Sequence, residues 1–206
     1  QNRKYILIFD SYGGLGISSA AEEACTGGCH VLNVGGAGFA GAGGGSTWGD
    51  ALSAYLATLT ADEKASYTDV MVFGGINDYG MAFNDIQTAM AAFRTIVDNN
   101  IPQCRVTVAP ISYSIRVDTS MSDYCNKVLS AYSTGCITNN FRYCNGLNAW
   151  IHNDMYMTAN DVHPNSAGVT LLGRAVKNFI LTETVDKCSS VTRAAVLTPD
   201  TGLNMT

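Results

Sequence analysis

Ser11 stands directly after the apolar run Tyr5-Ile-Leu-Ile-Phe9 and the acid Asp10. A serine hydroxyl becomes an effective nucleophile when a base lies within hydrogen-bond reach and donors wait for the oxyanion it creates. Donors of that kind follow two further apolar runs. Val31-Leu-Asn-Val34 leads into Gly35-Gly36-Ala37-Gly38-Phe39, and Val70-Met-Val-Phe73 leads into Gly74-Gly75-Ile76-Asn77-Asp78. Glycine offers an unobstructed backbone N–H and asparagine a side-chain N–H, which is the inventory of acyl transfer. The base is His163, in Asn160-Asp161-Val162-His163-Pro164. Imidazole titrates near neutrality, so it can take the serine proton and return it to a leaving group. His30 falls at the start of the second run, at the far end of its strand from this chemistry, and His152 lies in an irregular stretch and is the weaker candidate.

These residues must be brought together by the elements that carry them. Unbroken apolar runs of four or five residues read as strands buried on both faces, here Tyr5–Phe9, Val31–Val34 and Val70–Phe73. Arg105-Val-Thr-Val-Ala109 is a fourth, expected to stop at Pro110, and Phe141–Cys144 is a candidate fifth. Between them lie helical periods. Leu52, Tyr55, Leu56 and Leu59 share one face, as do Ile86, Met90, Phe93 and Val97. Tyr124 to Tyr132 also reads as helix. The last helix is expected from about Ser166 to Leu181, with Asn165 and Ser166 as candidate caps and Leu171, Leu172, Ala175, Phe179 and Ile180 buried. Strand–helix alternation implies βαβ units. The fold class is therefore α/β, a three-layer α/β/α, flavodoxin-like, doubly wound parallel sheet of about five strands. In such sheets ligands bind beyond the carboxyl ends of the strands, where Ser11, Gly38 and Asn77 converge. Residues 1–186 read as one domain, and 187–206 as an extended tail or the start of a further module.

In this order the residues resemble the SGNH (GDSL-type) hydrolases, over Lys4 to about Leu181. Phe9-Asp10-Ser11-Tyr12 resembles the nucleophile block, Asn33-Val-Gly35-Gly-Ala-Gly38 the N-x-G-x-x-G block, Gly75-Ile-Asn77-Asp78 the G-x-N-D block and Val162-His163-Pro164-Asn165 the terminal histidine block. The resemblance implies Ser11 as nucleophile, His163 as base, and an oxyanion hole of the Ser11 and Gly38 N–H groups with the Asn77 amide. Two positions depart from the family pattern. Phe9 replaces a glycine, and Asn160 occupies the place of the family's aspartate, three residues before the histidine, with Asp161 one step closer. An asparagine orients an imidazole but does not stabilise its protonated form as a carboxylate does, so Asp161 is taken as the acid. The expected activity is a serine esterase that removes O-acetyl groups from carbohydrate. The alternatives are a lipase or thioesterase on longer acyl chains, or a catalytically weakened glycan-binding module of a larger surface or phage-tail protein. Tyr12-Gly13 and Gly36-Ala-Gly38-Phe39 also resemble in flavour the SGNH domains of Gram-positive bacteria and their phages. Tyr12, Phe39 and Tyr79 are expected to bind substrate, with Trp48 and Tyr113 on the same loop-borne aromatic lip.

Each residue also has a plainer role. Ser11 and Asn77 suit turns or caps, Gly38 a turn of positive φ, and Asp78 a structural bond to nearby backbone N–H groups. Gly36-Ala-Gly38-Phe-Ala-Gly41 fits G-x-G-x-x-G, but it follows the second strand rather than the first and the acid Asp62 stands near a helix end, against a dinucleotide site. Composition limits the remaining classes. The 206 residues are 47% hydrophobic and only 14% charged, with a net charge of −5, which argues against nucleic acid as a partner. No apolar run approaches a membrane span. The expected partner is an acylated carbohydrate or small ester, within a larger multidomain protein, at an extracellular or surface/virion-associated location, with no metal and no cofactor. Seven cysteines at no zinc spacing leave buried thiols and bridges such as Cys25–Cys29 or Cys136–Cys144 equally open.

Overall fold

The structure, a computed structural model, describes residues 3–10, 16–42, 45–111, 119–144, 147 and 163–182. Five strands form one parallel sheet: β1 (Tyr5–Phe9), β2 (Cys29–Asn33), β3 (Asp69–Gly75), β4 (Arg105–Ile111) and β5 (Arg142–Tyr143). Their spatial order is β2-β1-β3-β4-β5, so chain order reverses between β1 and β3. Among the described residues the α-helices are α1 (Ile17–Glu22), α2 (Trp48–Ala57), α3 (Ala61–Ser66), α4 (Phe83–Asn100), α5 (Thr119–Thr138) and α6 (Ser166–Thr182).

Side chains alternate along each strand, so β1 and β3 feed two cores. Ile6, Ile8, Val70 and Val72 face Leu52 and Leu56 of α2 and Ile86, Met90, Phe93 and Val97 of α4. Leu7, Phe9, Met71 and Phe73 face Ile17 and Ala21 of α1 and Leu172, Val176 and Ile180 of α6. Full burial of each such aliphatic or aromatic side chain contributes about 1.5–3 kcal/mol. The two-sided burial is what an unbroken apolar run encodes, and it gives the three layers.

Several sequence expectations change in the folded chain. β2 is an edge strand, so Val31 and Leu32 are only half-buried rather than enclosed on both faces. β4 runs through Pro110 to Ile111, in register with Gly74 and Gly75 of β3. Among the described residues β5 pairs with Thr107 and Val108 alone, so none of them asks position 110 for the N–H that proline lacks. In α6 it is Val176 that is fully buried, while Leu171, Ala175 and Phe179 are half-buried. The short helices α1 and α3 carry too little period to announce themselves. Cys25, Cys29, Cys104, Cys136 and Cys144 are free thiols in the structure. The tail at 187–206 lies outside the described residues.

Helix ends follow local chemistry. Thr47 and Thr60 open α2 and α3 with capping boxes closed by Asp50 and Glu63. Asn140, at φ 53°, closes α5: the Phe141 N–H reaches the Cys136 carbonyl at 2.8 Å and the Asn140 N–H that of Ile137 at 3.5 Å. That is a Schellman ending with asparagine in the left-handed position. At the amino end of the sheet, buried Asp69 receives Arg3 (Nη2 at 2.8 Å) and Arg105 (Nη2 at 2.7 Å).

Candidate active site

The carboxyl end of the sheet gathers the chain segments that the motifs occupy. Register aligns Phe9 of β1 with Asn33 of β2 and Phe73 of β3, so the three strands end at one level. Asp10, the residue before Ser11, is buried at that edge. Its N–H donates to the Phe73 carbonyl at 3.3 Å and its carboxylate accepts the Gly75 N–H at 3.2 Å. Gly74, at φ 139°, makes this approach feasible, because a Cβ there would collide with the Asp10 carboxylate. The end of β1 is thereby tied to the end of β3 at the point where strand order reverses, the position at which doubly wound sheets bind ligands.

Past Gly75 the chain makes one 3-10 turn, Ile76–Asp78. Asp78 is completely buried and accepts four donors: the N–H groups of Phe39 (2.9 Å), Ala40 (3.0 Å) and Gly41 (2.6 Å), and the Tyr132 hydroxyl (2.6 Å). A buried carboxylate is tolerated where its lone pairs are filled in this way. The carboxylate therefore does the structural job expected of it, gripping the loop after β2. Gly38 is the only residue type that fits beneath it, since a Cβ at 38 would overlap the carboxylate. Asn77 lies alongside and donates Nδ2–H to the Ala37 carbonyl at 3.2 Å. One amide hydrogen thus fixes the side-chain plane, and among the described residues the second has no acceptor. The Gly38 N–H donates to the Gly41 carbonyl at 2.8 Å, a bond that must lengthen before Gly38 can serve an oxyanion.

His163 reaches this edge through the direction of α6. Gly173 packs on Ala20 and Lys177 Nζ donates to Glu23 at 2.6 Å, so α6 and α1 run in the same sense. Since α1 returns from the carboxyl end of β1, the amino end of α6 lies at the same sheet edge as Asp10. Asn165 caps α6, its Oδ1 accepting the Gly168 N–H at 3.0 Å. Pro164 is buried and His163 half-buried beside it. The Lys177 ammonium holds the Glu23 carboxyl below its ordinary range.

Ser11, Tyr12, Tyr113, Asn160 and Asp161 lie outside the described residues. Of the remaining expected site residues, Gly38, Asn77 and His163 come to one edge, and Tyr79 is exposed there at 43%. Phe39 is a correction. It is 2% exposed, edge-on to Trp48, Phe93 and Tyr132 at 5.1–5.3 Å. Its N–H is held by Asp78 and its ring is packed in the core, beneath the loop rather than on an exposed lip. Trp48, also read as a lip residue, is buried as the first residue of α2. His30 stands at the other end of β2, stacked on Tyr55 at 3.7 Å. Tyr132 escaped the sequence reading, because a tyrosine on the apolar face of a helix looks like core. Among the described residues no cluster of three or more His, Cys, Asp or Glu gathers as a metal site, and no helix is long and apolar enough to cross a membrane.

No protein-family model matches the chain, and no curated protein sequence matches it. Solved structures do. A candidate SGNH hydrolase from Slackia heliotrinireducens superposes with a TM-score of 0.60 at 13% identity, over 86% of this chain and 98% of that one. A lipase/acylhydrolase from Enterococcus faecalis gives 0.59 at 16% identity, over 88% and 96%. An acetylxylan esterase from Geobacillus stearothermophilus, crystallised as a catalytic mutant, gives 0.54 at 16% identity, over 87% and 94%. The chain has the three-layer fold of these proteins.

Proposed function

We propose that the chain is a carboxylic ester hydrolase of the SGNH type, with Ser11 as nucleophile and His163 as general base and acid. The observation that carries this reading is the Asp78 clasp. It holds the glycine loop after β2 against Asn77, next to the residue that precedes Ser11 and at the edge where α6 delivers His163. In this mechanism Ser11 Oγ attacks the ester carbonyl as His163 takes its proton. The tetrahedral oxyanion is met by the free Asn77 N–H and the Ser11 N–H, joined by the Gly38 N–H once it parts from Gly41. Collapse expels the alcohol with the proton from His163, and a water activated by His163 hydrolyses the acyl-enzyme. Asp161 is the proposed acid behind His163. The proposed substrates are O-acetylated carbohydrates, a preference supported by the family resemblance and by the likeness in fold to an acetylxylan esterase.

Hydrolysis of p-nitrophenyl acetate, butyrate and octanoate by the parent chain, Ser11→Ala and Asn160→Asp tests the reading. The expected result is turnover that prefers acetate and is lost in Ser11→Ala. Unchanged turnover in Ser11→Ala would refute the mechanism, and a preference for octanoate would move the substrate to longer acyl chains. Turnover present only in Asn160→Asp would instead identify a hydrolase fold retained for glycan binding, the reading that Asn160 itself favours.

A further inference from the structure

A groove of about 380 Å³ runs along α4, on the face of the sheet away from α6. One wall is the outer side of α4 with Met81 just before it, and the other is the loop after β2 with the start of α2. From Asp85 to Ile96 the α4 wall extends roughly 16 Å. Ala40 and Met81 stand at the near end. Their N–H groups both donate to Asp78, Ala40 to Oδ1 and Met81 to the carbonyl oxygen, each at 3.0 Å. The groove therefore begins at the clasp that holds Gly38 against Asn77. At the far end Gly49 closes on α4, where a Cβ at position 49 would stand 3.4 Å from Ile96 Cδ1.

The lining is mostly apolar but carries a carboxylate on each wall, Asp50 from α2 and Asp85 from α4. Among the described residues that line it none is Lys, Arg or His. Asp50 closes the capping box of α2 through Oδ2, at 2.9 Å from the Thr47 N–H and 2.8 Å from its hydroxyl, and its Oδ1 takes no bond from a described residue. Asp85 is the informative one. It is the third residue of α4, the place that Asp50 holds in α2 and Glu63 in α3. Those two fold back onto their caps, whereas α4 starts at Ala82 without a side-chain cap, and no described residue bonds the Asp85 carboxylate. The helix dipole favours an acid there, but it leaves both oxygens open to a donor from outside.

We propose that this groove binds an amino-sugar stretch of the glycan whose O-acetyl group Ser11 removes, with ammonium groups of the sugar on Asp85 and Asp50. An apolar groove with a few placed polar groups is the usual form of a small-molecule site. Sugar rings suit this one, because their C–H faces can lie on Met81, Ala89 and Ile96 while the hydroxyls stay in water. An ammonium on a carboxylate makes a charge-assisted hydrogen bond, and at an exposed position each such pair is worth about two- to fivefold in affinity. The same two carboxylates repel a uronate. The assignment rests on the esterase reading, whose substrate class it narrows, but occupancy of the groove is measured without turnover.

Calorimetric titration of the full chain with a glucosamine tetrasaccharide, xylotetraose and tetragalacturonate provides the test, at low ionic strength and a mildly acidic pH that protonates the amines. Methionine ¹³C-methyl signals locate the ligand, with that of Met81 assigned by its loss in Met81→Leu. The glucosamine chain is expected to bind about tenfold tighter than xylotetraose, the galacturonate most weakly, and the Met81 signal to shift saturably. Asp85→Asn is expected to weaken the glucosamine chain about two- to fivefold and to leave xylotetraose as it was. Ala92→Phe, which fills the groove from an exposed helical position, is expected to weaken both. For O-acetylated forms of the three chains, kcat/KM relative to p-nitrophenyl acetate is expected to follow the order of binding. Equal affinity for the glucosamine and xylose chains, tighter binding of the galacturonate, or an unmoved Met81 signal overturns the proposal. So does undiminished glucosamine binding in a folded Asp85→Asn. Ester turnover that survives in Ser11→Ala overturns the esterase reading instead, whatever the titrations show. The parent titrations decide the central claim even if a variant fails to fold.

Discussion

Tyr132 and Asp78 show how a buried pair can govern a surface reaction. The Tyr132 hydroxyl supplies one of the four donors on Asp78, and the same carboxylate sets the backbone path of residues 39–41 beside Gly38. Through Asp78, Tyr132 acts as a positioning residue. Tyr132→Phe removes one hydrogen bond to a charged acceptor at nearly constant volume, which costs about 1.5–3 kcal/mol of stability. The looser glycine loop is expected to lower kcat for p-nitrophenyl acetate about tenfold with KM little changed, since the loop serves the oxyanion and not the bound ester. A purely structural role would lower the denaturation midpoint and leave kcat per folded molecule as it was. Stopped-time assays on folded protein, alongside urea titrations, distinguish the two outcomes.

Helices enter the argument through their ends. Asn165 caps α6 immediately after His163 and Pro164, so one side chain both starts the helix and sets where the imidazole hangs. Asn165→Ala is expected to lower stability by about 1 kcal/mol and to reduce kcat as well, while Asn165→Asp, which caps equally, restores both. Thermal melts and rates on the same preparations check this. The packing of α2 on the edge strand has a pH signature. Burial lowers the pKa of His30, whose ring stacks on Tyr55 of α2. His30 is therefore neutral in the folded chain where the unfolded chain already binds a proton. Stability from this group is complete above an unfolded pKa of 6.5 and declines as pH falls through that value toward the lower folded one. Urea midpoints between pH 7.5 and 5.5 are expected to fall, and His30→Phe, which keeps a stacked ring, to flatten the slope. The capping carboxylates Asp50 and Glu63, whose pKa values are lowered chiefly by the backbone N–H groups of Thr47 and Thr60, act in a more acidic window. Their contribution is present above the unfolded carboxylate range and is lost as pH drops through the folded values.

At the scale of the whole molecule, thiols report on the fold. Burial pushes Cys25 and Cys104 up to about 12 and raises Cys136 further, so none offers a thiolate near neutrality. A thiol reagent at pH 7.5 is expected to label these three only as the chain opens, with rates that track denaturant-dependent unfolding; prompt labelling of any of the three in the native protein, located by peptide mapping, would contradict the buried placement. The same burial explains what could be read before folding. Strands β1 and β3 and the inward faces of α2 and α4 were legible, because a residue enclosed on two sides must be apolar at every position and one packed on a single side must repeat with the helix. Short α1 and α3 were not, since six residues hold less than two turns of that period. The exposure of β2 was hidden, because a run of four apolar residues does not record whether a neighbour lies beyond it. Among site residues, Ser11, Gly38, Asn77 and His163 stood out by type and order along the chain, which local chemistry dictates. Phe39 was misplaced for the opposite reason: whether a loop aromatic faces solvent or core depends on partners distant in sequence, here Phe93 and Tyr132 around its ring. The pairing of Tyr132 with Asp78, the running sense of α6 and the sharing of Asp69 by Arg3 and Arg105 all join residues distant in sequence. The amino-acid order by itself determined which residues could do chemistry and which segments would be strands. Only the tertiary structure decided which of them meet, because hydrogen bonds and burial act between neighbours in space, and neighbours in space are set by the sheet order.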